Sequence, residues 1–197
     1  LLHDVLRQVS RSFYLTISVL PSSVSRQVGL AYLFARTADT IADTGQVDRS
    51  ARVKFLQLFK LQFIQESLHW DEIRAIQMAI TPQQSQRGER KLFEQLESCF
   101  QIYERLDRKD QEEIRQVLPT LISGMEMDLD FFRGESKAQL AALGTMADLD
   151  AYTYRVAGCV GEFWTNLTCA HLPVVRRNWD REQKVPIGIS FGKGLQL

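Results

Sequence analysis

The chain has 197 residues, of which 45% are hydrophobic, and its 24 Lys and Arg residues balance 24 Asp and Glu residues. This composition suits one globular domain with a sizeable core and excludes a disordered or fibrous protein. There is no basic tract with interleaved aromatic residues, which argues against nucleic acid as a partner. Cys99, Cys159 and Cys169 lack the spacing of a disulfide framework or a metal site. We therefore expect a cytoplasmic protein in a reducing compartment.

Helical periodicity runs along almost the whole chain. Apolar residues recur every three or four positions in the first twenty residues, and Pro21 ends this predicted helix. Ser22 or Ser23 can cap the next helix, which Gly45 ends. Further helices are predicted at about 50–68, 71–80, 88–107, 109–122, 122–134, 148–171 and 180–197. Gly134 closes the helix predicted at 122–134. No stretch shows the alternation of a strand, so the sequence predicts an all-α fold.

The two ends of the chain carry no signals for the start or the end of a domain. It begins at Leu1 inside an amphipathic pattern and stops at Leu197 without a capping or turn residue. We therefore expect residues 1–197 to form a single all-α domain that is incomplete at its carboxyl end. No apolar run reaches the roughly 20 residues needed to span a bilayer.

Two aspartates stand near the end of an otherwise apolar helix. Asp39 and Asp43 are four residues apart and share one helix face, where like charges and the helix dipole both disfavour them. Mg²⁺ would offset that repulsion, since it takes carboxylate oxygens together with water and substrate phosphates. Arg36 lies one turn earlier on the same face and is placed to pair with a diphosphate. A solvated helix end is the alternative interpretation.

A second polar group lies within the first predicted helix. Ser10, Arg11 and Ser12 form one turn that supplies hydrogen-bond donors without a carboxylate. This set of side chains suits phosphate oxygens. The alternative is an ordinary polar face of the helix.

The segment around residues 152–161 combines hydroxyl groups with small residues. Ala157, Gly158 and Gly161 recur at helical spacing, although a helical glycine is less favourable than alanine by about 1 kcal/mol. Either close helix packing or room for a ligand explains them. Tyr152 and Tyr154 place hydroxyl groups beside the surface that these small residues form.

Taken in order, these segments resemble the squalene/phytoene synthase family from about residue 6 to residue 197. The stretch "SRSFYLTISVLP" resembles the family's Ser-Arg-Ser-Phe segment. The stretch "LAYLFARTADTIADT" resembles its first aspartate-rich motif, with Tyr32 and Arg36 matching. The stretch "YTYRVAGCVGEFW" is similar to its Tyr-x-Tyr-x-Val-Ala-Gly-x-Val-Gly signature, and "FGKGLQL" to the start of its last motif, where Gln196 matches.

The resemblance implies an isoprenoid-synthase (terpenoid synthase) fold and the head-to-head joining of two prenyl diphosphates. Mg²⁺ is the implied cofactor, with NADPH added in squalene-forming members. We expect farnesyl diphosphate to be converted to presqualene diphosphate and squalene; a phytoene synthase acting on geranylgeranyl diphosphate is the alternative. Head-to-tail prenyltransferases and terpene cyclases usually carry adjacent aspartates, whereas Thr40 follows Asp39 here. A non-catalytic relative that binds or assembles partners is the alternative from another class.

The resemblance also implies a role for each matching residue. Asp39 and Asp43 would bind the metal and take part in catalysis, together with Tyr152, which would face the allylic cation. The substrate-binding residues would be Ser10, Arg11, Ser12, Phe13, Tyr32, Arg36, Ala157, Gly161 and Gln196.

The family's second aspartate-rich motif should begin a few residues after Gln196. We therefore expect the fold to be truncated before that helix, and this piece alone to be inactive. Because the product is apolar, we also expect peripheral contact with a membrane. The sequence does not indicate an oligomeric state.

Overall fold

A computed structural model of the chain describes residues 2–132 and 141–197, and within these ranges every regular element is helical. The predicted all-α class is confirmed. The chain divides into two compact units, Leu1–Leu118 and Pro119–Leu197, which are described in turn. That residues 1–197 form one domain stays a prediction.

The first unit contains α1 (Leu2–Val9), α2 (Arg11–Ser18), α3 (Ser22–Asp43), α4 (Arg49–Ile64), α5 (Trp70–Ile80), a 3-10 turn (Thr81–Gln83), α6 (Arg87–Glu94) and α7 (Leu96–Glu104). Helix α8 (Arg108–Phe131) begins in the first unit and has Pro119 inside it. The second unit contains α9 (Met146–Thr153), a π-helical turn (Tyr154–Gly158), α10 (Cys159–His171), α11 (Pro173–Asn178) and α12 (Arg181–Gln196).

Some predicted helices are divided or joined, for local reasons. The first predicted helix is two helices, because Ser10 has an extended backbone and its hydroxyl accepts a hydrogen bond from the backbone N–H of Phe13. The helix predicted at 88–107 is also two, which meet at Gln95. In contrast, the helices predicted on either side of residue 122 are the single helix α8. Its predicted end at Gly134 lies outside the described residues.

The predicted bounds of α3 also need correction. Pro21 occupies its N-cap position, and neither Ser22 nor Ser23 caps it with a side chain. The helix ends at Asp43, two residues before Gly45, and Thr44 is its C-cap. Asp43 is therefore the last helical residue.

Aromatic side chains fill the centre of the first unit. The ring of Phe34 on α3 lies with its centroid 4.7–6.2 Å from those of four other rings: Phe59, Phe63, Phe100 and Tyr103. All five rings are buried. Each such aromatic pair contributes about 0.5–1.5 kcal/mol beyond the burial of its area. This cluster therefore determines which face of α3 turns inward.

Glycine residues bring α10 and α12 into close contact in the second unit. A Cβ atom on Gly161 would lie 1.9 Å from the carbonyl oxygen of Gly188, and one on Gly192 would lie 2.4 Å from that of Ala157. Backbones this close leave no room for a side chain. Close packing is thus one reason for the small residues that the sequence analysis singled out.

Within residues 2–132 and 141–197, no helix has both the length and the apolar character required to cross a bilayer.

We predict that Gly161→Ala lowers the free energy of unfolding by about 1–3 kcal/mol, because the new methyl group overlaps the α12 backbone. The matched control is Gly194→Ala, since a Cβ atom at Gly194 meets no atom within 4 Å. This control should raise stability by up to about 1 kcal/mol through helix propensity. Urea unfolding followed by circular dichroism measures both variants; equal stability of the two would contradict the packing account.

Candidate active site

The predicted site residues of α3 share the face that points away from the aromatic cluster. At 100° per residue, Tyr32, Arg36, Asp39 and Asp43 lie between about 140° and 200° around the helix from Phe34. Phe34 is fully buried, whereas these four side chains are half-buried or exposed. Burial of one face therefore presents the arginine and both carboxylates on the other.

Arg36 contacts two carboxylates through different nitrogens. Its Nη1 donates to Asp39 Oδ2 at 2.5 Å. Its Nη2 donates to Glu89 Oε1 on α6. Asp43, the last residue of α3, is exposed. The expected proximity of Arg36 and Asp39 is thus present, and Glu89 is a partner that the sequence analysis missed.

The carboxylate of Asp39 is in an unfavourable electrostatic environment. Burial raises the pKa of Asp39 above its ordinary value, and the charge of Asp43 raises it further, while Arg36 offsets part of this rise. A bound cation would favour the ionised form and reverse the effect. The ionised form of Asp39 is therefore one that a bound cation would stabilise.

A site with two protein carboxylates suits Mg²⁺, and it suits less well a metal ion that takes all its ligands from the protein. Among the residues that the structure describes, no group of three or more His, Cys, Asp and Glu side chains could hold a metal ion. Mg²⁺ is commonly bound by one or two carboxylates, with water and substrate phosphates completing its octahedron. Asp39 and Asp43 fit that pattern. Their role as metal ligands stays a prediction.

The end of α3 is stabilised although it carries two aspartates. Nη1 of Arg52 on α4 donates to the carbonyl oxygen of Ala42 at 2.5 Å. The hydroxyl of Thr44 donates to the carbonyl oxygen of Thr40 at 2.6 Å. These contacts satisfy carbonyl groups that a helix end leaves without partners, and Arg52 supplies a positive charge to the negative end of the dipole.

The segment that follows α5 is joined to this helix end. Nε2 of Gln84 donates to the hydroxyl oxygen of Thr44 at 3.0 Å, and Nη2 of Arg90 donates to the carbonyl oxygen of Gln84 at 2.8 Å. A cleft of about 140 Å³ lies here, and polar side chains line it: Arg36, Thr40, Asp43, Thr44, Gln46, Gln83, Gln84, Ser85 and Glu89. The buried hydroxyl oxygen of Thr40 has no hydrogen-bond partner among the described residues.

Glu89 reaches this cleft because α6 lies close to α1. A Cβ atom on Gly88 would lie 2.2 Å from the carbonyl oxygen of Gln8, so only glycine permits this approach. Gly88 precedes Glu89 directly, and the contact fixes the first turn of α6. The signal in the sequence is a glycine within the charged run "RGERK", residues 87–91.

The amino-terminal segment meets α3 through one aromatic pair. The ring of Phe13 stacks on that of Tyr32, with centroids 4.4 Å apart and planes at 22°. Tyr32 lies one turn before Arg36, so the start of α2 lies near the polar face of α3. Ser10 is half-buried, whereas Arg11 and Ser12 are exposed. The hydroxyl oxygen of Ser10 already accepts one hydrogen bond, from the backbone N–H of Phe13, in capping α2.

Two tyrosines of the second unit donate hydrogen bonds to carboxylates. Tyr152 donates to Asp128 Oδ1 of α8 at 2.8 Å, and Tyr154 donates to Glu162 Oε2 at 2.8 Å. Burial, together with the hydrogen bond to Asp128, raises the pKa of Tyr152 to about 12. Tyr152 is therefore a protonated donor at neutral pH. The sequence analysis missed Asp128, whose signal is the run of three alternate acidic residues in "EMDLD", residues 126–130, near the end of α8.

The helix that carries these tyrosines has an irregular turn. Residues Tyr154–Gly158 are π-helical, between α9 and α10. Such turns are rare in proteins, and those that do occur are often found at functional sites. The turn includes Ala157, one of the residues assigned to substrate binding.

A groove of about 660 Å³ lies beside the contact between α10 and α12. Its lining is mostly apolar: Val156, Ala157, Val160, Gly161, Trp164, Thr165, Trp179, Lys184, Ile187, Gly188, Phe191, Gly192 and Leu195. Ala157 and Gly161 thus line a groove and also take part in helix packing. Gln196, the last residue of α12, is exposed. The substrate-binding roles of these residues stay predictions.

Comparison with known proteins gives consistent matches. The squalene/phytoene synthase family model matches residues 6–197. A squalene synthase of Saccharomyces cerevisiae is 28% identical over 85% of the chain, which corresponds to 35% of that protein. A bifunctional lycopene cyclase/phytoene synthase of Blakeslea trispora is 28% identical over 95% of the chain and 28% of that protein. The chain spans about a third of the length of the curated relatives it matches.

Solved structures share the fold. The complex of TcSQS with the ligand BPH1237 matches with a TM-score of 0.66 at 24% identity, over 95% of this chain and 49% of that one. The complex of TcSQS with E5700 matches with a TM-score of 0.65. The predicted terpenoid-synthase type of helical fold is confirmed.

The raised pKa of Asp39 predicts a pH-dependent difference in stability. Because the folded protein disfavours the ionised form, stability is lost as the pH rises through the pKa of Asp39 in the folded state. Without divalent cations, Asp39→Asn should therefore have nearly the wild-type melting temperature at about pH 3, below the ordinary pKa of aspartate, and a higher one at about pH 7. Differential scanning calorimetry measures the difference; a variant that melts below wild type at the higher pH would contradict this environment for Asp39.

Proposed function

The chain belongs to the squalene/phytoene synthase family, and on that premise we propose that it is part of an enzyme that joins two prenyl diphosphates head to head. The observation that carries the proposal is the polar face of α3, where Arg36 contacts Asp39 and Asp43 lies one turn further on. An arginine and paired carboxylates suit a diphosphate bound through a divalent cation. We propose farnesyl diphosphate as the substrate and presqualene diphosphate, then squalene, as the products.

Residues of the first unit would bind and orient the diphosphate. Asp39 and Asp43 would hold Mg²⁺, which as a Lewis acid neutralises charge on the departing diphosphate. Arg36 keeps N–H donors beyond those it gives to Asp39 and Glu89 and would offer them to phosphate oxygens. Arg11 and Ser12 would add donors from the start of α2, which the stacked rings of Phe13 and Tyr32 hold beside α3.

For the residues of the second unit, the family resemblance supports roles toward the organic part of a prenyl diphosphate. The apolar groove along α10 and α12 would take a prenyl chain and keep water from the allylic cation. The ring of Tyr152 would stabilise that cation through its negative π face. Its hydroxyl oxygen would accept the proton released when the cyclopropane ring closes, while its own proton passes to Asp128 Oδ1. NADPH would supply the hydride for the later reduction to squalene.

A phytoene synthase is the second candidate. The match to the Blakeslea trispora protein covers 95% of this chain, against 85% for the Saccharomyces cerevisiae squalene synthase, at the same 28% identity. In that case geranylgeranyl diphosphate would be the substrate and no NADPH would be consumed. The same α3 residues would bind the diphosphate in either case. For either product, which is apolar, we propose peripheral contact with a membrane.

Product analysis tests the function directly. The full-length protein is incubated with Mg²⁺ and either farnesyl or geranylgeranyl diphosphate, with and without NADPH, and the extracted hydrocarbons are identified by mass spectrometry. A C30 product from farnesyl diphosphate is expected, and a C40 product would establish the second candidate. Formation of neither product would contradict the enzymatic proposal and favour a binding or assembly role.

We predict that Asp39→Asn reduces turnover by about 10²-fold or more, because it removes a charge that stabilises the departing diphosphate. Its far-UV circular dichroism should match that of wild type. Asp71→Asn is the matched control, because the Asp71 side chain is fully exposed on α5. Equal turnover in Asp39→Asn and the control would remove the proposed metal site.

We also predict that Tyr152→Phe lowers kcat by about 10-fold or more, because the ring stays and only the proton-carrying hydroxyl is lost. The KM for substrate should change little. Tyr154→Phe is the control, since its hydroxyl has the same kind of carboxylate partner. If both variants keep wild-type kcat, Tyr152 does not carry the proton.

A further inference from the structure

We propose that Glu89 is a positioning residue, which holds Arg36 when Asp39 exchanges its ion pair with Arg36 for a bound divalent cation. This inference rests on the proposed function, because it requires that Asp39 bind the cation. Glu89 lies on α6, outside every motif through which the chain resembles its family. Its role therefore follows from the contacts in the structure.

The contact between Glu89 and Arg36 is better shielded than that between Asp39 and Arg36. The side chain of Glu89 is 13% exposed, whereas that of Asp39 is 40% exposed. Water and salt weaken exposed ion pairs more than buried ones. Of the two carboxylates on Arg36, Asp39 is thus the one that a cation can reach and compete for.

Glu89 is itself held by its own helix. The preceding Gly88 packs against the backbone of α1 at Gln8, and the following Arg90 donates two hydrogen bonds to the carbonyl oxygen of Gln84. Glu89 also lies in the first turn of α6, where the helix dipole favours a carboxylate. With this support, Glu89 keeps its position when Arg36 loses its contact with Asp39.

Arg36 has to satisfy two requirements during diphosphate binding. Its guanidinium must release Asp39 so that the carboxylate can bind a cation, and it must stay on this face of α3 to meet phosphate oxygens. With Glu89 present, Arg36 keeps one carboxylate partner after Asp39 is released. Without Glu89, Asp39 would be the carboxylate left to pair with Arg36, and the cation would compete against the full strength of that pair.

The test measures cation affinity in the full-length protein, with Mn²⁺ as the probe and no substrate present. Free Mn²⁺ is followed by electron paramagnetic resonance for wild type, Glu89→Gln, Glu89→Asp and the double variant Arg36→Gln/Glu89→Gln. Glu94→Gln is the matched control, because Glu94 lies on the same helix and pairs only loosely with Lys91, at 3.9 Å.

Glu89→Gln should raise the Kd for Mn²⁺ about tenfold, as loss of a residue that orients metal ligands commonly does. Glu89→Asp should raise it similarly, because a shorter side chain keeps the charge but withdraws from Arg36. In the double variant the affinity should recover, since the competitor for Asp39 is gone. Glu94→Gln should bind as wild type does.

Two results would overturn the inference. Wild-type affinity in Glu89→Asp, with weak binding in Glu89→Gln, would show that Glu89 contributes only negative charge. A Kd within about twofold of wild type in both Glu89 variants would show that its role is structural. Asp39→Asn separates these failures from failure of the proposed function: if it binds Mn²⁺ as wild type does, the metal site itself is wrong, and the inference falls with it.

Discussion

The pairing of Arg36 with Asp39 is the interaction on which the candidate site depends. It places a positive and a negative group one turn apart on α3, on the side away from the buried ring of Phe34. Burial and the nearby charge of Asp43 raise the pKa of Asp39 in spite of this partner. Arg36 alone thus does not offset the burial of Asp39 and the charge of Asp43. The proposed divalent ion, bound with a diphosphate, would favour the ionised form.

The surrounding structure keeps this face in place. The aromatic cluster determines the rotation of α3, and the contact of Arg52 with the carbonyl oxygen of Ala42 stabilises its carboxyl end. The contact between Gln84 and Thr44 joins that end to the segment that leads into α6. The site is therefore built on a helix with both its rotation and its end constrained, which suits the proposed role of orienting a diphosphate.

Local patterns in the sequence were sufficient to predict the all-α class and the shared face of Asp39 and Asp43 on α3, but not every helix boundary. The spacing of Asp39 and Asp43 predicts a shared face, and a helix preserves that spacing wherever it packs. Glu89 and Asp128 were not predicted, because their contacts with Arg36 and Tyr152 join residues 53 and 24 positions apart. Ser10 was predicted within a continuous helix. Its hydroxyl instead accepts a hydrogen bond from the backbone N–H of Phe13, and this cap starts the new helix α2.

The central claim is that Asp39 and Asp43 bind a divalent cation together with a diphosphate. Crystals of the full-length protein grown with Mn²⁺ and a non-hydrolysable farnesyl thiodiphosphate would test it most directly, through the anomalous difference map at the manganese edge. The account predicts a peak about 2.0–2.3 Å from a carboxylate oxygen of Asp39 or Asp43, with Arg36 turned to the diphosphate and still in contact with Glu89. A peak elsewhere, with the pair between Arg36 and Asp39 intact, would contradict it.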